Sequence, residues 1–145
     1  MNKILKLIIA IYLSTFFATF AFSKNNFFDE ALKLYENKKY DDARFLFERN
    51  IVLNPKDANS YLYLAKIYNY KEDQRKEEYN LETAILIEPN NEEVLLMLMK
   101  IALKKSNYSK VRDLSQVFVK VCNKLCDENN QIQDSLKNIE PKNES

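Results

Sequence analysis

The sequence predicts an all-α chain of stacked helical hairpins, a solenoid, and three observations lead there. The phrase Leu53-Asn54-Pro55 returns thirty-four residues later as Ile87-Glu88-Pro89. Each copy closes a stretch whose apolar residues recur at three- and four-residue spacing. The chain of 145 residues contains no glycine, which removes the tight turns of hairpin-rich β folds. A period of this length, with helical spacing inside it, marks repeats that bury one face against the next.

Setting the two prolines in register divides the chain into Lys24–Asp57, Ala58–Asn91 and Glu92–Leu125. Each unit reads as two helices of about a dozen residues joined by a polar turn. In the first, Phe27, Ala31 and Leu34 share a face, and after Asn37-Lys38-Lys39 come Tyr40, Ala43, Phe47, Ile51 and Leu53. Asp41 and Asp42 lie where the second helix starts, placed to cap its free N–H groups and complement its dipole. The middle unit has Tyr61, Leu64, Ala65 and Tyr68, then Leu81, Ala84, Ile85 and Ile87. The third has Leu95, Leu98, Met99 and Ala102, then Tyr108, Val111, Phe118, Val119 and Val121. Ala31, Ala43, Ala65 and Ala84 let helices approach closely. Each proline follows a helix end, where its missing N–H costs little. Beyond the repeats, residues 126–140 read as a further helix, with Asp127 as its cap and Ile132, Leu136 and Ile139 on one face. A solenoid needs such an end because its last repeat otherwise exposes an apolar surface. Residues 141–145 read as a disordered tail.

At these residues the chain resembles the tetratricopeptide repeat (TPR) family. Tyr40, Ala43, Phe47 and Pro55 match the family's second helix, Ala65 and Tyr68 its first, and Ala84 and Pro89 the close of the second unit. The resemblance implies a right-handed superhelix of about seven helices over residues 24–140. There are departures. The turn positions that the family fills with glycine are Lys38, Glu72 and Ser106, and Asn123 replaces the third proline. Gln74 and Glu77 stand where an aromatic and an alanine are expected, so the middle unit's second helix is expected to start late or fray.

The first 23 residues read as a signal peptide rather than as part of the fold. Lys3 and Lys6 form a positive region, Leu7 to Phe22 is apolar apart from a few hydroxyls, and Ala21 and Ser23 supply small residues at a cleavage site before Lys24. The competing reading is an uncleaved membrane anchor, for which sixteen residues fall short of the roughly 20 that span a bilayer. Both readings put the repeats across the membrane, periplasmic or secreted. Without the first 23 residues, 20 basic residues face 21 acidic ones. That near-neutral, interleaved charge leaves no stripe for nucleic acid.

Absences exclude most chemistry. Average usage would give about ten glycines; without any, phosphate-binding loops, dinucleotide fingerprints and nucleophile elbows are ruled out. The chain also lacks histidine, the commonest general base at neutral pH and a frequent zinc ligand. The adjacent acids Asp41-Asp42, Glu77-Glu78 and Glu92-Glu93 sit near helix starts and read as caps or solvated groups. The expectation is therefore a protein that is not an enzyme, with no cofactor and no metal. Cys122 and Cys126 are four apart. On one continuous helix their Cβ atoms would be about 5–6 Å apart, beyond the roughly 3.5–4.5 Å that a disulfide requires. A bond thus demands a helix break, and the register places one at Asn123–Leu125. We expect a structural disulfide there, pinning the last helix to the last repeat. A redox-active motif would space its cysteines by two within a thioredoxin-like sheet.

The resemblance also implies a function. TPR hairpins hold a peptide or a partner's helix in a concave groove lined by the first helix of each repeat. Carried over unit by unit, the groove positions are Phe28, Leu32 and Tyr35; Leu62, Lys66, Asn69 and Tyr70; and Leu96, Lys100, Leu103 and Lys104. This mixed apolar and basic surface suits an amphipathic or mildly acidic protein segment. The family members that grip chaperone C-termini use lysine, asparagine and arginine at positions held here by Phe28, Leu32, Tyr63, Glu93 and Met97, so that role is excluded. The reading is an exported interaction module, a periplasmic or envelope adaptor. The alternatives are a structural subunit acting through its outer face and a secreted effector.

Overall fold

The helical spacing becomes seven α-helices among the described residues of the computed structural model, which describes residues 27–139. They are α1 Phe27–Glu36, α2 Tyr40–Leu53, α3 Ala58–Tyr70, α4 Gln74–Ile87, α5 Glu92–Lys104, α6 Tyr108–Val121 and α7 Cys126–Ile139. The starts of α2, α4 and α6 are thirty-four residues apart, as are those of α3, α5 and α7. The described residues thus form three hairpins plus the first helix of a fourth. None of these helices is long and apolar enough to cross a membrane. The proposed signal segment and the tail from 141 lie outside the described residues.

Each hairpin turns by the same device. Lys38, Glu72 and Ser106 have φ of 59°, 58° and 56°, the left-handed conformation that usually calls for glycine. Around each, two hydrogen bonds close a Schellman motif. In the first hairpin Lys39 N–H donates to the Leu34 carbonyl and Lys38 N–H to that of Tyr35. Asp73 to Tyr68 with Glu72 to Asn69, and Asn107 to Ala102 with Ser106 to Leu103, repeat it.

Helix starts depart from expectation in three places. Asp41 and Asp42 lie in the first turn of α2, two and three residues past its cap position, which is Lys39 and makes no side-chain bond. The two carboxylates still complement the dipole. Helix α4 does not start late: Asp73 accepts from the Lys76 N–H at 3.2 Å and holds its first turn at Gln74. Asn91 and Asn107 do the same for α5 and α6. Asp127 is likewise inside α7 rather than its cap.

The core runs along the solenoid as three clusters. Ala31, Ala43, Phe47, Leu64 and Ile67 join the first two hairpins. Leu62, Ala65, Leu81, Ala84, Val94, Leu98 and Ile101 join the second and third. Leu95, Leu96, Met99, Val111 and Phe118 pack with Ile132 and Leu136 of α7. At the first junction Asp57 accepts from Asn50 Nδ2 at 2.7 Å and from Ser60 Oγ at 2.6 Å, a buried polar tie. Cations after the first helices reach back across junctions. Lys71 pairs with Asp41 of α2, and Lys105, thirty-four residues on, with Glu78 of α4. These bonds hold both carboxyls below their usual range.

Candidate functional site

The turn geometry stacks α3 beside α5 with α4 behind, and this opens a cavity of about 440 Å³ lined by Asn69, Glu77, Met97, Lys100, Ile101, Leu103 and Lys104. Met97, Ile101 and Leu103 supply its apolar lining, and the two lysines stand one helical turn apart on α5. Asn69 Nδ2 donates to Glu77 Oε1 at 2.9 Å. Glu77 is only 5% exposed, and burial pushes its carboxyl above the usual glutamate range. It occupies the register position of Ala43 and Val111, so the expectation that Glu77 is solvated or capping is corrected. Here a carboxylate replaces a core side chain and turns into the cavity, toward Asn69.

Of the expected groove residues, Asn69, Lys100, Leu103 and Lys104 come together in this cavity. Lys66 lies 2.8 Å from Glu93 and its ammonium sits 4.6 Å from the Tyr63 ring centroid. Lys100 meets Glu128 of α7 at 3.3 Å. Leu62 and Leu96 are withdrawn from the surface into the core, because α4 covers one and α7 packs over the other. Glu77, Met97 and Ile101 were not among the expected residues. Their signal was available in the register: Met97 and Ile101 lie four apart, alternating with Lys100 and Lys104.

The first two hairpins carry an aromatic cluster. Phe47 stacks on Tyr63 with centroids 5.3 Å apart, and Phe28 meets both rings at 5.7 and 5.9 Å. Tyr35 stands edge-on to Tyr63 at 5.0 Å and touches Tyr40 at 5.4 Å. Burial and its tyrosine neighbours raise the Tyr35 hydroxyl's pKa. Tyr70 covers Tyr40 at 4.4 Å yet remains largely exposed. Phe28 and Tyr35 are therefore held by ring contacts within this cluster, and Tyr70 presents a ring to solvent.

At the other end the helix breaks where expected. Helix α6 stops at Val121, Cys122 is extended, and α7 resumes at Cys126. The two cysteine Cα atoms are 5.4 Å apart with their sulfurs facing each other. Across the gap, the Glu92 carboxylate accepts from the N–H groups of Asn123 at 2.8 Å, Lys124 at 3.1 Å and Leu125 at 3.3 Å. Those donors hold the Glu92 pKa below its usual value. A larger concavity of about 700 Å³ lies beside it, lined by Glu88, Asn90, Asn91, Glu92, Glu93, Lys124 and Leu125. Its Glu92 is already committed to the backbone, and three acids against one lysine leave its lining net negative.

Solved structures share this succession of stacked helices. The fold is a TPR-like helical solenoid. The type III secretion chaperone SycD of Yersinia enterocolitica, in complex with a peptide of the translocator YopD, superposes with a TM-score of 0.66 at 16% identity, over 78% of this chain and 88% of that one. PcrH in complex with the chaperone-binding region of PopD gives 0.64 at 13% identity, over 77% and 86%. The Sgt2 TPR domain of Aspergillus fumigatus gives 0.63 at 13% identity, over 81% and 83%. No family model and no curated protein matches the sequence.

Proposed function

We propose that this chain is an exported interaction module that binds a peptide or helical segment of another protein in the groove along α1, α3 and α5, as an adaptor of the bacterial envelope. The carrying observation is the 440 Å³ cavity, where Met97, Ile101 and Leu103 offer an apolar seat and Lys100 and Lys104 a cationic rim. An apolar side chain followed by an acid fits that pairing. SycD and PcrH, similar in fold, were solved with a peptide of the translocator YopD and with the chaperone-binding region of PopD, which supports the reading. Export rests on the first 23 residues, and Cys122 and Cys126 are proposed to form a disulfide in the oxidising compartment beyond the membrane. The test is crosslinking and co-purification from the native envelope, comparing wild type with an Asn69→Ala, Lys104→Glu variant. A defined partner lost from the variant supports the groove; equal recovery from both counts against it.

One observation favours the structural-subunit reading. Phe45 and Tyr79 occupy equivalent positions on α2 and α4, as do Val52 and Leu86, and all four are solvent-facing at 58%, 68%, 80% and 82% exposure. Exposed apolar side chains repeated at equivalent positions of successive hairpins are unusual for a free surface. A Phe45→Ser, Tyr79→Ser variant that loses its partner while the groove variant keeps it would decide for the outer face.

A further inference from the structure

We infer that α7 is a releasable intramolecular occupant of the groove's last third. It undocks about the Asn123–Leu125 elbow while the three hairpins stay folded, and so uncovers Leu96 and Met99 and frees Lys100 from Glu128. The consequence for binding rests on the groove reading; the release rests on how α7 is packed.

Three features of that packing set α7 apart from the helix it copies. Its start is thirty-four residues after α5, yet the positions that are apolar in the inner repeats have become polar. Ser115 stands in register with Phe47 and Leu81, Asn129 with Leu95, and Gln133 with Ala65 and Met99. These three make a hydrogen-bonded chain, Ser115 Oγ to Asn129 Oδ1 at 2.9 Å and Gln133 Nε2 to Ser115 Oγ at 2.7 Å. Such bonds are exchanged for bonds to water on opening, whereas buried apolar surface is not. Second, an open depression of about 540 Å³ runs along the seam of α6 and α7, lined by Ser115, Gln116, Val119, Lys120, Asn129 and Gln133, so solvent stands beside these polar contacts. Third, the helix is anchored at its start, by Glu92 on three successive backbone N–H groups and by the Cys122–Cys126 pair. Along its length it relies on Ile132 and Leu136. What it covers belongs to the groove: Leu96 lies in the cluster with Ile132 and Leu136, and Glu128 holds Lys100.

Hydrogen exchange of the full chain, read by mass spectrometry, tests this directly. Residues 128–137 are expected to exchange at least about tenfold faster than those of α5, as a separate opening unit. A Ser115→Leu, Gln133→Met variant, which restores inner-repeat residues, should slow α7 exchange by about tenfold. An Ile132→Ser, Leu136→Ser variant should lose protection in α7 alone and recover more crosslinked partner than wild type. One common exchange rate for α5 and α7, loss of protection in α5 and α6 in the release variant, or partner recovery that does not rise, would each overturn the inference. Equal recovery of partner by wild type and the Asn69→Ala, Lys104→Glu variant would instead remove the groove reading, leaving the exchange result to stand separately.

Discussion

At the scale of single residues, the absence of glycine leaves a mark at three equivalent points. Lys38, Glu72 and Ser106 each hold a left-handed backbone with a side chain attached. Replacing any one by glycine should stabilise the fold by roughly 0.5–1 kcal/mol, the left-handed penalty less glycine's added freedom in the unfolded chain. Urea denaturation of Lys38→Gly, Glu72→Gly and Ser106→Gly checks it, with no gain at any site counting against the strain. Glu77 gives a pH-dependent case. Burial raises its folded pKa, so the native state holds the proton more tightly than the unfolded chain does. Its ionised form then destabilises the fold above that folded pKa, and the penalty fades as pH falls toward the ordinary glutamate value. Glu77→Gln keeps an acceptor for Asn69 and should be more stable than wild type at pH 7, with the difference shrinking in acid. A difference that stays constant from pH 7 to 4 would show that burial of charge is not its cause.

At the scale of elements, helix starts differ where side chains differ. Helices α4 and α6 begin with Asp73 and Asn107, thirty-four residues apart, and each accepts a first-turn N–H. The matching residue of α2 is Lys39, which has no acceptor to offer. Lys39→Asn should therefore stabilise by about 1 kcal/mol and Asp73→Ala destabilise by about the same. Thermal unfolding of both variants reads the two effects, which should carry opposite signs. The elbow that leads into α7 is held in another way, by a carboxylate from the preceding hairpin. Because Glu92 has its pKa lowered by those N–H donors, its contribution is present above the unfolded pKa and lost as pH falls through the folded one. Glu92→Gln should thus speed exchange in α7 at pH 7 and bring no further loss in acid.

At the scale of the molecule, stability is distributed along a line. Each core cluster joins neighbours only, so damage should stay local. Phe47→Ala removes a fully buried ring from the first cluster and should cost about 3–5 kcal/mol there. Protection of amides in α1 and α2 should fall while those of α6 largely keep theirs, as read by hydrogen exchange. Equal loss throughout would mean that the solenoid unfolds as one unit. The ion pairs of Lys71 and Lys105 couple hairpins, but exposed pairs contribute only about 0–1 kcal/mol each and do not override that locality.

The sequence by itself determined the repeat, the helical hairpins, the positions of the turns and the break between Cys122 and Cys126. All of these follow from local spacing and from residues that stop a helix, which act within a few positions of one another. That Asn69, Lys100 and Lys104 share a face, and so line one cavity, was legible because register carries a position from one repeat to the next. Only the tertiary structure decided the rest. It buried Glu77 where a small residue belongs, drew Leu62 and Leu96 beneath the surface, and gave Glu92 a role thirty-one residues away at Asn123. Those outcomes depend on which helix lies across which, and spacing along a chain specifies a face without naming what covers it.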